Sequence, residues 1–182
     1  NGSAVDSGGS AQNEAEATEN GRYENFILDS GAGMTVIDSL RAAELGLPPG
    51  NRIAGAGISG ARYYYLTRLP AMEIGGIRFS EKAVIASSVT HMIRRYTGIP
   101  VAGILGSDFL NHFVTAIDYQ NHNMTLFTPG SFDDEESQAA LDAPLAQGIL
   151  SIACAVEDSC TGRFLVDTGS IRSILQSSFV ET

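Results

Sequence analysis

The sequence has little positive charge and no long apolar run. Of its 182 residues, 11 are Lys or Arg and 21 are Asp or Glu, which gives a formal net charge of -10 at pH 7. Because binding to nucleic-acid phosphates needs a concentrated basic surface, we expect no nucleic-acid partner. No apolar run is long enough to cross a bilayer and no signal-peptide pattern is present, so we also expect no membrane-spanning segment.

Cysteine is scarce as well, because Cys154 and Cys160 are the only two in the chain. They flank a short segment typical of a hairpin turn, where facing positions could be bridged by a disulfide. Such a bridge would indicate an oxidising compartment, so a periplasmic or secreted location is favoured over a cytoplasmic one. Two unpaired thiols are the alternative. The spacing fits neither a zinc pair nor a redox pair, so the sequence predicts no metal site and no cofactor.

The clearest positive feature is an internal repeat. The composition is that of a globular chain, 43% hydrophobic and 18% charged, with room for one domain or two small ones. Residues 26–32 read Phe-Ile-Leu-Asp-Ser-Gly-Ala, and residues 164–170 read Phe-Leu-Val-Asp-Thr-Gly-Ser. In both copies an apolar run with strand character leads an aspartate into a turn of a hydroxyl residue, a glycine and a small residue.

The aspartates of the repeat, Asp29 and Asp167, have two interpretations. A single aspartate in a glycine turn most often bonds its own backbone. The repetition favours a second interpretation, because two equivalent carboxylates brought together across a two-fold axis cannot both ionise cheaply and would share one proton. The glycine of each turn would let the loops approach closely, and the hydroxyl beside each aspartate would tie one loop to the other.

We divide the chain into four parts by composition. Residues 1–22 are small and polar, which predicts a flexible N-terminal arm or the remnant of a prosegment. Residues 23–128 predict a complete β-rich lobe. Residues 129–147, with two prolines and an acidic run, predict a linker, and residues 148–182 begin a second, similar lobe.

Local patterns predict the elements of the first lobe. They are strands at 26–28 and 35–37, a helix at 40–45, a hairpin over 69–85, a strand and helix over 101–110, and a hairpin over 115–127. Ser107 or Asp108 is expected to cap the helix after residue 106. Residues 87–99 predict an exposed loop with one helical turn, and we interpret His91 as a surface histidine.

A glycine-rich segment at 52–66 runs into three consecutive tyrosines. It contains Gly55-x-Gly57-x-x-Gly60, the letters of a dinucleotide-binding fingerprint. That fingerprint has meaning only before a helix whose N-terminus holds the pyrophosphate, whereas the residues after Gly60 favour a strand. We therefore interpret the segment as a mobile hairpin and not as a nucleotide site.

Three features of the chain resemble the retropepsin-like aspartic proteases. The repeated Asp-Ser-Gly-Ala and Asp-Thr-Gly-Ser are similar to the active-site signature of that family. The glycine-rich segment 55–60 stands where the family has its flap. Ile-Leu-Gly at 104–106 is similar to the apolar-apolar-Gly element before the C-terminal helix of the family. The order of the three features agrees as well as their content.

The resemblance implies an all-β fold, namely a retropepsin-like β-barrel lobe with short helices followed by the start of a second such lobe. It implies an aspartic endopeptidase without a cofactor, in which two aspartates activate a water that attacks a peptide or protein substrate. The residues it implies are catalytic Asp29 and Asp167, supporting Ser30, Gly31, Ala32, Thr168, Gly169 and Ser170, and flap residues Gly55, Gly57, Ile58, Gly60 and Tyr63.

The second copy departs from the family pattern, since it has neither a second flap nor a second apolar-apolar-Gly element. The catalytic pair would be Asp29 with Asp167 of the same chain, or Asp29 from each of two chains in a homodimer. We favour the first, with the polypeptide as a shortened two-lobe enzyme. The alternative function is a catalytically incomplete module that binds peptides or mediates dimerisation.

The two turns also differ at their last position, which is Ala32 in one and Ser170 in the other. Ser170 could donate a hydrogen bond toward Asp167, whereas Ala32 has no side-chain donor. We therefore predict that Asp29 is the usual carrier of the shared proton.

Overall fold

A computed structural model describes residues 15–19, 22–57, 60–133, 139–157 and 160–180. Strands dominate and the helices are short, which confirms the predicted all-β class. The strands are β1 (Ala15–Glu19), β2 (Arg22–Leu28), β3 (Val36–Asp38), β4 (Arg52–Gly57), β5 (Gly60–Ile74), β6 (Ile77–Ser87), β7 (Gly103–Leu105), β8 (Val114–Asp118), β9 (Asn123–Phe127), β10 (Leu145–Ala146), β11 (Ile149–Val156) and β12 (Cys160–Leu165). The helices are α1 (Ser39–Glu44), α2 (Val89–Thr97), α3 (Ser107–Leu110) and α4 (Ser177–Val180).

The main sheet has seven strands in the order β1-β2-β7-β3-β6-β5-β4. An additional pairing between β1 and β5 connects distant strands of this order, so the sheet curls on itself. The hairpin predicted over 69–85 is confirmed, because β5 and β6 pair around a turn at Gly75 and Gly76 with φ of 55° and 81°. The closed barrel that the resemblance to retropepsin-like proteases implies stays a prediction.

The N-terminal segment differs in part from the predicted flexible arm over 1–22. Residues 15–19 form β1, which pairs antiparallel with β2, and Arg22 begins β2. The segment is poor in apolar residues, so its composition does not report the backbone hydrogen bonds that pair it with β2. Residues 1–14, 20 and 21 lie outside the described part of the chain.

Strand β7 lies between β2 and β3, parallel to the first and antiparallel to the second. Only glycine fits at Gly103, because a Cβ there would overlap the ring of Phe26 and the carbonyl oxygen of Val36. At the end of β2, the backbone N–H of Asp29 donates to the carbonyl oxygen of Leu105 at 3.0 Å. β7 therefore fixes the point where the first aspartate turn begins.

The hydrophobic core lies directly under this strand junction. Leu105 and Phe109 have 0% exposure. The Phe109 ring packs against Phe79 and Phe113, with centroid distances of 5.0 and 5.5 Å. Burying a side chain of this size contributes about 1.5–3 kcal/mol to the free energy of unfolding. The turn after β2 therefore lies next to a well-packed part of the core.

Residues 87–99 differ from the predicted exposed loop, because most of them form helix α2. The helix ends at Gly98, whose φ of 75° is the left-handed conformation of a helix C-terminus. The buried Asp38 carboxylate accepts from the Thr90 hydroxyl and lies 3.2 Å from His91 Nε2. His91 is exposed, as a surface histidine is expected to be. The helix depends on these tertiary partners, which the local sequence does not reveal.

Strands β4 and β5 form a hairpin at the position of the predicted flap. They pair from Arg52 opposite Tyr65 to Gly57 opposite Gly60. Residues 58 and 59, and with them Ile58, lie outside the described residues. Because strand β5 starts at Gly60, no helix follows the glycine motif, and a dinucleotide site is excluded there.

The second repeat copy lies in a small three-stranded sheet, in the order β10-β11-β12. β10 lies inside the predicted linker 129–147. The segment is held by Ser151, whose N–H and hydroxyl both donate to the carbonyl oxygen of Pro144, at 3.1 and 2.8 Å. A side-chain hydrogen bond from Asn111 to the carbonyl oxygen of Gly148 at 2.9 Å connects this sheet to the first lobe.

The two cysteines are not joined by a disulfide. The register of β11 and β12 places Cys154 opposite Gly162, and Cys160 opposite Val156. The two residues therefore do not face each other across the hairpin, as the disulfide alternative would require.

The segments after the two turns differ in burial. Val36 and Ile37 are 8% and 3% exposed between β6 and β7. Their counterparts Ile174 and Leu175 are 58% and 43% exposed, and no strand pairs with them in the part of the chain that the structure describes. The two copies are thus alike in their turns and unlike in what surrounds them.

Asp38 offers a test of the link between α1 and α2. Its Oδ1 accepts from the backbone N–H groups of Leu40 and Arg41, which caps α1. Replacing Asp38 with Ala should lower the free energy of unfolding by about 2 kcal/mol, because it removes this cap and the partner of Thr90. Urea unfolding measures the loss. Asp142→Ala, at an exposed carboxylate, is the control, and equal stability of the two variants would contradict the expectation.

Candidate active site

The first aspartate turn is held by its own backbone. Asp29 Oδ1 accepts hydrogen bonds from the N–H groups of Gly31 and Ala32, both at 2.9 Å. The Ala32 N–H also lies 3.2 Å from the carbonyl oxygen of Asp29. This is the usual geometry of an aspartate that bonds its own turn. Nothing in the turn alone distinguishes a structural aspartate from a catalytic one.

The second turn repeats this geometry. Asp167 Oδ1 accepts from the N–H of Gly169 at 2.9 Å, and the Ser170 N–H donates to the carbonyl oxygen of Asp167 at 3.3 Å. The strand before the turn is held by β11, because the Val166 N–H donates to Leu150 at 2.9 Å. The repeat in the sequence is therefore also a repeat in the structure.

The two turns are joined by a reciprocal exchange of hydrogen bonds. The Ser30 N–H donates to Thr168 Oγ1, and the Thr168 N–H donates to Ser30 Oγ, both at 3.0 Å. Thr168 Oγ1 then donates to the carbonyl oxygen of Leu28 at 2.9 Å, and Ser30 Oγ donates to that of Val166 at 2.8 Å. Each contact has a counterpart in the other copy, so the two turns are related by an approximate two-fold axis.

The glycines of the turns bring the carboxyl groups together. A Cβ on Gly31 would lie 2.7 Å from both carboxylate oxygens of Asp167. A Cβ on Gly169 would lie 2.7 and 2.8 Å from the carboxylate oxygens of Asp29. Real Cβ atoms do not come so close, so each aspartate occupies the space that a side chain at the opposite glycine would need.

The electrostatics follow from this approach. Burial, the negative charge of Asp167 and a hydrogen bond with the Asp167 carboxyl group raise the pKa of Asp29 from 3.8 to about 6, against the lowering effect of the N–H groups of Ala32 and Gly31. Two carboxyl groups in contact cannot both ionise cheaply, so the charge of Asp167 favours the protonated form of Asp29. At mildly acidic pH the site therefore holds a proton that an isolated aspartate would release.

The raised pKa of Asp29 agrees with its predicted role as proton carrier, but the cause differs. The Ser170 hydroxyl donates to the carbonyl oxygen of Arg172 at 2.8 Å, and not toward Asp167. Burial of Asp29 between the two loops is the largest cause instead. The sequence shows which residues differ between the turns, but not how deeply each carboxylate is buried.

Residues 15–109 match a family model described as aspartyl protease. The chain belongs to the aspartyl protease family. No curated protein matches it. The matched segment contains the Asp29 turn and ends within α3, so Asp167 lies outside the match. In the structure of this aspartyl protease, the carboxyl group of Asp167 lies beside that of Asp29.

Four polar residues that the sequence does not indicate as part of the site lie behind the Asp29 turn of the protease. We call Thr35, Lys82, Ser107 and Asp108 the support cluster. Ser107 and Asp108 are predicted as helix caps, but residue 106 is the N-cap of α3 and makes no side-chain cap bond. Their side chains contact the turn instead. The only signal in the sequence was their position directly after Ile-Leu-Gly.

The described residues of the predicted flap lie on the β4–β5 hairpin. Gly55 lies against the ring of Tyr64, since a Cβ on Gly55 would be 2.8 Å from that ring. Tyr63 is 65% exposed, and the Arg52 guanidinium stacks 3.8 Å from the centre of its ring. The contact of this hairpin with substrate stays a prediction.

In the described ranges, no group of three or more His, Cys, Asp or Glu side chains is arranged to hold a metal ion. None of the helices in those ranges combines the length and the apolar character needed to cross a membrane.

Glycine substitutions test the contact between the turns. Gly31→Ala should lower the rate of peptide cleavage about 100-fold, because the Asp167 carboxyl must move and a displacement of about 1 Å costs that much. Gly33→Ala is the matched control, since no heavy atom lies within 4 Å of a Cβ there. Assays on a casein-like substrate would contradict the expectation if both variants lost activity equally or if Gly31→Ala kept full activity.

Proposed function

We propose that this aspartyl protease is an endopeptidase that hydrolyses peptide bonds with Asp29 and Asp167 of one chain. The observation that carries the proposal is the reciprocal joining of the two aspartate turns by Ser30 and Thr168. An aspartate that only stabilises its own turn does not require a second aspartate turn bonded to it. The mutual hydrogen bonds support a pair of carboxyl groups that acts as one unit.

Aspartic proteases are the standard example of two carboxylates that share one proton. In the first step, the Asp167 carboxylate accepts a proton from a water whose oxygen bonds to the carbonyl carbon of the peptide bond. The protonated Asp29 gives its proton to the carbonyl oxygen, which yields a tetrahedral diol. Both reactants are activated without a covalent intermediate.

The second step reverses the proton positions. Asp167 gives the acquired proton to the amide nitrogen as the C–N bond breaks, and one hydroxyl of the diol returns a proton to Asp29. The products are a carboxylic acid and an amine, and the pair is back in its starting state. A raised pKa of Asp29 supports this cycle, because a proton must be available at mildly acidic pH.

The strand edges of the lobe support a proposal for the substrate class. An extended peptide can pair with exposed strand edges through main-chain hydrogen bonds, which needs no particular sequence. The β4–β5 hairpin would cover such a peptide, with Tyr63 and Tyr65 exposed near its base. We therefore propose unfolded or extended protein segments as substrates.

Asparagine variants distinguish one chain from two as the source of the catalytic pair. Asp29→Asn and Asp167→Asn should each abolish cleavage of an unfolded protein substrate, since each removes one ionisable member of the pair. Asp142→Asn, at an exposed carboxylate, is the matched control and should keep wild-type activity.

Mixing the two inactive variants sharpens this test. If the pair lies within one chain, the mixture stays inactive at every concentration. Full activity of Asp167→Asn alone would instead support a pair of Asp29 residues from two chains. A folded wild-type chain that binds peptide and never cleaves it would contradict the proposed function and support the binding module.

The pKa of Asp29 also predicts how stability depends on pH. Because that pKa is raised from 3.8 to about 6, the folded chain holds a proton between these values that the unfolded chain has released. The contribution of Asp29 to stability is therefore lost as pH rises through about 6. Urea midpoints at about pH 4 and about pH 7 should differ less in Asp29→Asn than in the wild type. An equal difference in both proteins would contradict the assignment.

A further inference from the structure

The support cluster holds the Asp29 turn from behind. Ser107 is 3% exposed. Its N–H and its hydroxyl both donate to the carbonyl oxygen of Ala32, at 2.8 and 2.7 Å, and the hydroxyl also lies 3.3 Å from the carbonyl oxygen of Ser30. The N–H of Ala32 is one of the two donors to the Asp29 carboxylate. Ser107 therefore fixes a residue that itself contacts the catalytic carboxyl group.

Asp108 holds the far end of the same loop. Its Oδ1 accepts from both the N–H and the hydroxyl of Thr35, at 2.8 and 2.7 Å. Thr35 is 1% exposed, and its hydroxyl oxygen accepts from the Gly106 N–H at 3.3 Å. A buried threonine with its N–H and hydroxyl both directed at one carboxylate oxygen has little freedom to move.

Lys82 is the counter-ion of Asp108. Its ammonium lies 3.3 Å from Asp108 Oδ2 and donates to the Asp108 carbonyl oxygen at 3.0 Å. The two side chains are 17% and 22% exposed. A cation beside a largely buried carboxylate offsets part of the cost of removing its charge from water. The lysine thus keeps Asp108 as a strong acceptor for Thr35.

The Asp167 turn has no equivalent support in the ranges that the structure describes. The position that corresponds to Thr35 is Ser173, which is exposed. The hydroxyl of Ser170 bonds within its own turn. Only the Asp29 turn has this support among the described residues. If every such turn needed it to keep its shape, the Asp167 turn would have it as well.

We infer that Asp108, with Lys82 as its counter-ion, is a positioning residue for catalysis: it fixes the loop 29–35 so that the Asp29 carboxyl group meets Asp167. This inference rests on the proposed function. Asp108 acts by geometry, because the charge that acts on Asp29 is that of Asp167. It does not touch the substrate or the water.

The test compares two substitutions of Asp108. Asp108→Ala removes both carboxylate oxygens, of which one accepts from Thr35 and the other lies beside Lys82. It should lower kcat about 10- to 100-fold, while KM changes less than about twofold. Asp108→Asn keeps an acceptor oxygen for Thr35 and should retain most of kcat. Lys82→Met should have an intermediate effect, and Arg78→Met, at an exposed cation on the same strand, should have none.

A second measurement does not depend on activity. In the wild type, the NMR resonance of the Ala32 amide should shift with pH as Asp29 titrates, because this N–H donates to the carboxylate. Asp108→Ala should lose most of that shift, and Asp108→Asn should keep it. If the wild type cleaves nothing, the proposed function fails, and this measurement still tests the positioning role.

Two outcomes overturn the inference. One is a folded Asp108→Ala variant with wild-type kcat and a wild-type Ala32 titration. The other is equal damage from Asp108→Asn and Asp108→Ala. If Asp108→Ala does not fold, Thr35→Val replaces it, since it removes the hydroxyl that donates to Asp108. Thr35→Val should lower kcat several-fold and Thr35→Ser should restore it, whereas no loss in Thr35→Val overturns the inference.

Discussion

The candidate active site depends on the exchange of hydrogen bonds between Ser30 and Thr168, which lie 138 positions apart in the sequence. Each hydroxyl accepts from the opposite backbone and donates to the strand before the opposite aspartate. Either turn alone would leave these polar groups without their partners, at a cost of about 1–3 kcal/mol for each group that is buried. The geometry of the candidate site is therefore a property of the two turns together, and it forms only when both strands are in place.

The two turns contact each other equally, but the rest of the protein supports them unequally. The Asp29 turn stands on β7, on the buried Phe109 and on the support cluster. The Asp167 turn stands on the β11–β12 hairpin, followed by the exposed Ile174 and Leu175. Within the described residues, the first turn is thus held by more contacts than the second, and the second is held in part by its contacts with the first. Preorganised donors and carboxyl groups are what catalysis of this kind needs, because they do not have to rearrange during the reaction.

The sequence predicted those parts of the molecule that depend on residues close together in the chain. The repeated aspartate turn, the hairpin around Gly75 and Gly76, and the strand ending before Gly106 all follow from residue types at short spacing. The repeat also led to Asp29 and Asp167 as a pair, because two identical turns in one chain call for a common explanation. The pairing itself, with its distances, could be seen only in the structure.

Other features were beyond local patterns because distant residues decide them. Ser107 and Asp108 have the composition of a helix cap, but their side chains bond a loop some 75 positions earlier. Helix α2 depends on Asp38, which is 52 positions from Thr90. Whether Cys154 faces Cys160 depends on the strand register, and a shift of one residue reverses every face of a hairpin. In each case the partner, not the residue, was missing from the prediction.

The crossed contacts of Gly31 and Gly169 have a consequence for how such a chain can change. The space at each glycine is filled by the aspartate of the other copy, so the requirement for glycine in one copy is set by a residue in the other. A side chain cannot replace either glycine without displacing the opposite aspartate, although the rest of the surroundings of the two turns differs. The similarity of the two turns at these glycines therefore reflects a mutual constraint between neighbours in space.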